Sequence, residues 1–127
     1  MNLVVHDIGD CGSVQMMSAG VIKFDTENAA TGVELCKLPK FIIVKDVHVK
    51  VKTAFDGTGS ALSVGVGDDV NDLVAASAVT AGTAGVYHAQ PFAHYNEAKT
   101  VKAKLAGTGA TAGEAEIFLE VVRCPAE

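Results

Sequence analysis

At 127 residues the chain falls below the length of about 150 residues that one domain typically takes, which excludes a pair of catalytic domains. Its 49% hydrophobic and 20% charged content is too apolar for a disordered chain, and the one sizeable aliphatic block is too short to cross a bilayer. Ten Lys+Arg against fifteen Asp+Glu give a net charge of -5 with no basic run, so neither nucleic acid nor a membrane is an expected partner.

Residues 1–17 mix Leu3, Val4, Val5, Ile8, Met16 and Met17 with turn formers and show no sustained period, which reads as an extended N-terminal arm before a domain spanning residues 18–127, the alternative being a frayed terminus or an extra edge strand inside the fold. The first ten residues carry acids rather than a basic segment leading into an apolar core, so secretion by a leader is disfavoured. Residues 19–24 and 33–38 are short strand-like runs around the polar turn that contains Asn28 and Gly32, and they read as a hairpin. Cys11, Cys36 and Cys124 lack any C-x-x-C spacing, which argues against a disulfide framework and for a reducing compartment. Cys36, flanked by Leu35 and Leu38, is expected to behave as an inert small hydrophobe.

Residues 41–55 give the strongest signal. Val47, Val49, Val51 and Thr53 alternate with His48, Lys50 and Lys52, the pattern of a half-buried strand with a basic outer face. Residues 100–105 repeat it with Lys102 and Lys104 outward, and residues 114–123 place Ala115, Ile117, Leu119 and Val121 inward with Glu114, Glu116 and Glu120 outward. Lysine faces therefore have a glutamate face to pair with. Leu62, Val64 and Val66 alternate with Ser63, Gly65 and Gly67, a strand bare enough on one side for close backbone approach. Residues 71–79 read as a loop or one helical turn, residues 85–89 as a short strand, and residues 92–99 as a linker carrying Phe92 and Tyr95. Gly-Thr-Gly occurs twice, at 57–59 and 107–109, each after a strand, and both copies read as hairpin connections. Seven or eight short strands with almost no amphipathic helix predict an all-β antiparallel sandwich of jelly-roll type.

Chemical motifs are sparse. His6, His48, His88 and His94 are scattered, and a cupin-like pairing of His88 with His94 across Pro91 lacks the further ligands such a centre needs, so no metal or other cofactor is expected. Asp68, Asp69, Asn71 and Asp72 fail the order of a calcium loop and read as a solvated turn. The glycines ending at Gly113 miss the dinucleotide fingerprint, and neither a nucleophile elbow nor a phosphate-binding loop occurs. No catalytic residue is assigned, and the chain reads as a non-enzyme. Tyr87, His88, Phe92, His94 and Tyr95 cluster in sequence as a candidate interface.

Residues 41–66 (FIIVKDVHVKVKTAFDGTGSALSVGV), residues 80–87, and residues 102–122 with GTGATAGEA together resemble the capsid decoration, or cement, proteins of tailed bacteriophages. The resemblance covers about two-thirds of the chain. It implies a sandwich bound in many copies to the outer shell of a virion assembled in the host cytoplasm. Its implied partners are the major capsid protein and further copies of itself, as dimers or trimers. Physical chemistry supplies the contact residues: a 17-residue arm reaches about 55 Å at ~3.3 Å per residue. Burial of Leu3, Val5, Ile8 and Met16 on a neighbour would contribute a gross ~6 to 12 kcal/mol before ordering costs. The alternative is a tail or fibre attachment module that binds glycans through Tyr87, Phe92 and Tyr95; a cupin-like enzyme would in addition need a metal.

Overall fold

The structure, a computed structural model, describes residues 14–123. Eight strands lie in this range: β1 (Val14–Lys23), β2 (Val33–Leu38), β3 (Ile42–Thr53), β4 (Thr58–Gly65), β5 (Gly85–Ala89), β6 (Ala93–Tyr95), β7 (Lys99–Thr108) and β8 (Glu114–Arg123). One sheet runs β1-β8-β3-β5, with β6 also pairing β3, and the other runs β2-β7-β4. All pairs are antiparallel. The chain is thus folded back on itself, β1 on β8, β2 on β7, β3 on β5 and β6, and then wrapped so that successive strands, β5 and β6 excepted, alternate between sheets. That is a jelly roll.

Period-two alternation sets which side chains fill the space between the sheets. Val47, Val49 and Val51 of β3, Ala115, Ile117, Leu119 and Val121 of β8, and Val101, Ala103 and Leu105 of β7 are all buried in one cluster with Leu62, Val64, Ile22 and Leu38. These are the inward sets that alternation predicts, with one exception. Thr53 is exposed, because the β3–β8 register slips between Val51 and Thr53 and turns the threonine outward.

Several local expectations are corrected. β1 and β2 belong to different sheets, so residues 19–38 form a crossing between layers rather than a hairpin. The Gly-Thr-Gly segments likewise join β3 to β4 and β7 to β8 across the two sheets. The two copies meet instead: Thr58 pairs with Thr108, and a Cβ on Gly57 would stand 2.8 Å from the Thr108 carbonyl oxygen. Glycine grammar specifies a tight, close-packed turn without saying which sheet the chain enters next. The supposed linker at 92–99 contains β6, and β1 already begins at Val14, so Met16 and Met17 belong to the sandwich rather than to an arm. Met16 pairs with Glu120 and Met17 with Leu119, and these long-range partners override the weak local pattern. Leu3, Val4, Val5 and Ile8, like Cys11 and Cys124, lie outside the described residues.

Other expectations hold. Residues 71–79 carry a single 3-10 turn (Ala76–Ala78) and a bridge from Val74 to Val64. Asp72 Oδ1 accepts the N–H groups of Val66 (2.8 Å) and Gly67 (3.3 Å), which uses its carboxylate to close the turn. Gly65 lets that turn approach, since a Cβ there would stand 2.7 Å from Asn71 N. Cys36 is half-buried on β2, and burial pushes its thiol pKa up, away from the reactive thiolate.

Candidate functional site

The outward face of the β1-β8-β3-β5 sheet follows from the register. With Ala115, Ile117, Leu119 and Val121 inward, β8 turns Glu116, Phe118, Glu120 and Val122 outward, and their partners on β1 and β3 share that face. It divides into three zones.

At one end the face is charged. Lys52 Nζ lies 3.1 Å from Glu116 Oε1 and 3.9 Å from Glu114 Oε2, and the Ser18 hydroxyl donates to Glu116 Oε2 at 2.7 Å. The Ser18 hydrogen bond, followed by that of Lys52, holds the Glu116 carboxyl below its usual range. The β3 lysines thus meet the β8 glutamates as their alternation implied. Lys102 and Lys104 do not: they lie on the other sheet, opposite Glu34 and Ser63.

At the other end the face is apolar. Val14 and Met16 are 49% and 55% exposed on β1, and they pair with Val122 and Glu120. Ile43 of β3 pairs with Val122 on the far side, so the strip crosses three strands. Half-exposed Val14 and Met16 on β1, continued by the partly exposed Val122 and Ile43 on β8 and β3, form the kind of apolar patch that contacts another protein.

Between these zones stand Asp46, His48, His88 and Glu120. A register slip between Val44 and Asp46 inserts Lys45 as an extra residue, so Lys45 and Asp46 both turn outward and Val47 returns to the core. Asp46 then sits opposite Glu120, and His48 opposite His88 of β5. The two imidazoles stack with centroids 5.7 Å apart at 26°. His88 Nδ1 lies 3.5 Å from Asp46 Oδ1, His48 Nε2 lies 3.9 Å from Glu120 Oε2, and Lys45 Nζ lies 3.6 Å from Glu120 Oε1. The group offers imidazole nitrogens and carboxylate oxygens, a ligand set rather than a nucleophile with its base.

The interface residues expected from sequence are separated by this geometry. His88 and His94 lie on the outward face, but they pair with His48 and Ile43, five residues apart on β3 or about 16 Å at ~3.3 Å per residue, so they do not meet. Tyr87 and Tyr95 pair with the buried Val49 and Ile42 and pack on the core, and the Tyr87 hydroxyl donates to the Thr83 carbonyl at 2.7 Å. Phe92 alone of the three aromatics is strongly exposed, held at φ 45 between β5 and β6. Sequence reasoning missed Asp46, which alternation could have placed on the same face as His48; the partnership with Glu120 and His88 depends on register, which no local signal carries. A cleft of about 400 Å³ between residues 24–31 and 105–110 is lined by Phe24, Asn28, Leu105 and small residues, none of them ionisable.

No protein-family model matches the sequence, and no curated protein matches it. Solved structures do. A chain of the cyanophage Pam1 capsid asymmetric unit superposes with a TM-score of 0.73 at 22% identity, covering 97% of this chain and 94% of that one. A chain of the Ralstonia phage GP4 capsid gives 0.68 at 23% identity, with 99% and 92% covered. A chain of the acid-stable capsid of Helicobacter pylori bacteriophage KHP30 gives 0.59 at 16% identity, with 87% and 93% covered. At these identities the likeness is one of fold. The protein therefore shares its jelly-roll fold, over most of its length, with chains of similar length found in three bacteriophage capsid structures.

Proposed function

We propose that this protein decorates the outside of a bacteriophage shell, adding contacts between major capsid subunits without covalent chemistry, as a self-associated dimer or trimer. The observation that carries this reading is the near-complete mutual coverage with chains of capsid structures. A jelly roll embedded in a larger protein would leave most of the other chain unmatched, whereas over nine-tenths of each of those three chains is aligned here. Val14 and Met16 supply an apolar contact strip on the sandwich itself. Leu3, Val4, Val5 and Ile8, which precede it in sequence, extend that strip as a clamp on a neighbouring subunit. Attachment of several linked copies multiplies a modest single contact.

Shells lacking the protein, mixed with purified protein and sedimented, test this. Saturable binding in an integral ratio to the shell subunit is expected, weakened by deletion of residues 1–13. That deletion keeps β1 whole; removal of residues 1–17 takes four residues from a strand paired with β8 and confounds folding with binding. Binding to glycans in place of shells would transfer the protein to the tail or fibre reading, which the inward turn of Tyr87 and Tyr95 leaves with few aromatics for stacking.

A further inference from the structure

We propose that Asp46, His48 and Glu120, with His88 as fourth ligand, bind a divalent transition ion of the zinc class on the outward face of the β1-β8-β3-β5 sheet. One ligand atom from each of the first three lies within 4.8 Å of the others. Asp46 Oδ1 and His48 Nε2 are buried and have no hydrogen-bond partner, which is costly and rare for groups of this polarity. His88 Nδ1, 3.5 Å from Asp46 Oδ1, and Glu120 Oε2, 3.9 Å from His48 Nε2, make no hydrogen bond to them, yet these separations approach the ~3.3 Å between ligands that share a tetrahedral zinc. His88 stands outside that three-residue group, 59% exposed with Nδ1 3.5 Å from Asp46 Oδ1, and would join it from β5 by side-chain rotation.

The donor set selects the ion. Two imidazoles with two carboxylates suit zinc and its neighbours, whereas calcium and magnesium favour cages of oxygen alone. Two carboxylates balance the charge of a dication. Lys45 occupies Glu120 Oε1 and leaves Oε2 turned towards His48, so its cation competes from the far side of that carboxylate rather than from within the group. A bound ion would tie β3, β5 and β8 together, and the bulge at Lys45 is the device that brings Asp46 into line.

The test uses the full, untagged protein titrated with zinc and, separately, with cobalt. Expected are one equivalent bound, a melting temperature raised by about 5 to 10 °C at 100 times the dissociation constant, and a cobalt spectrum without the thiolate charge-transfer band that Cys36 or another cysteine would give. His48→Gln and Glu120→Gln should each weaken binding at least tenfold, while His94→Ala, on the same face but outside the group, should leave it unchanged. Melting in a chelator checks that each variant folds. Absence of saturable binding to the wild-type protein, a thiolate spectrum, or binding that survives both glutamine substitutions would overturn the proposal.

Discussion

Asp56 and Thr111 join the two Gly-Thr-Gly segments: Asp56 Oδ2 accepts the Thr111 hydroxyl at 2.6 Å, and Oδ1 accepts the Thr111 N–H at 2.7 Å and the Ala112 N–H at 3.0 Å. The Thr111 hydroxyl, then the two N–H groups, hold the Asp56 carboxyl below its usual range. A carboxyl whose folded pKa is lowered contributes stability above its unfolded pKa of about 3.9 and loses it as pH falls through the folded value. Asp56→Ala should therefore lower the melting temperature at pH 7, and the gap from wild type should close as the pH falls below the unfolded carboxyl value of about 3.9 and on through the lowered folded value. Thermal melts of both proteins across this range check it; a gap independent of pH would mean that the loop loses packing rather than charge-assisted hydrogen bonds.

Gly113 opens β8 beneath the ring of Phe55. Its φ is 146, and an added Cβ would collide with that buried ring. Gly113→Ala should cost about 2 to 4 kcal/mol from strain and overpacking together. At Gly59 the φ is also positive but no atom lies within 4 Å of an added Cβ, so Gly59→Ala should cost only about 1 kcal/mol. Denaturant unfolding of the two variants separates collision from backbone strain. Phe55→Ala should make Gly113→Ala cheaper in a double-mutant cycle.

The apolar strip gives a prediction that distinguishes binding from folding. Val14 and Met16 are half-exposed, so Val14→Glu and Met16→Gln, the latter chosen to place no second carboxylate opposite Glu120, should each change stability by less than about 1 kcal/mol. Shell binding should fall at least tenfold, about 1.4 kcal/mol, if this strip docks. Sedimentation with shells, alongside melting of the free variants, reads both quantities; unchanged binding would move the contact elsewhere on the sandwich.

Burial was legible in the sequence where alternation ran long. Ten-residue strands such as β8, and the twelve residues of β3, announce their inward sets because a period of two over that length has few competing explanations. Pairing was not legible. Val14 and Val122 lie at opposite ends of the chain, and no local residue choice records their juxtaposition. The glycines of residues 57–59 and 107–109 were read as hairpin connections, but Thr58 and Gly59 open β4 and Gly107 and Thr108 end β7, and the connections beside them cross between sheets. β6 was hidden by its length of three residues and by the Pro91-Phe92 break before it. The Asp46, His48, His88 and Glu120 group was half visible: one pair shares a face by alternation, and the others arrive by register.

Heat disruption of shells titrated with the protein tests the central claim most directly. Decoration that bridges subunits predicts a disruption temperature that climbs with added protein and levels off at a whole-number ratio to the shell subunit. A temperature that stays flat while the folded protein is in excess would contradict it.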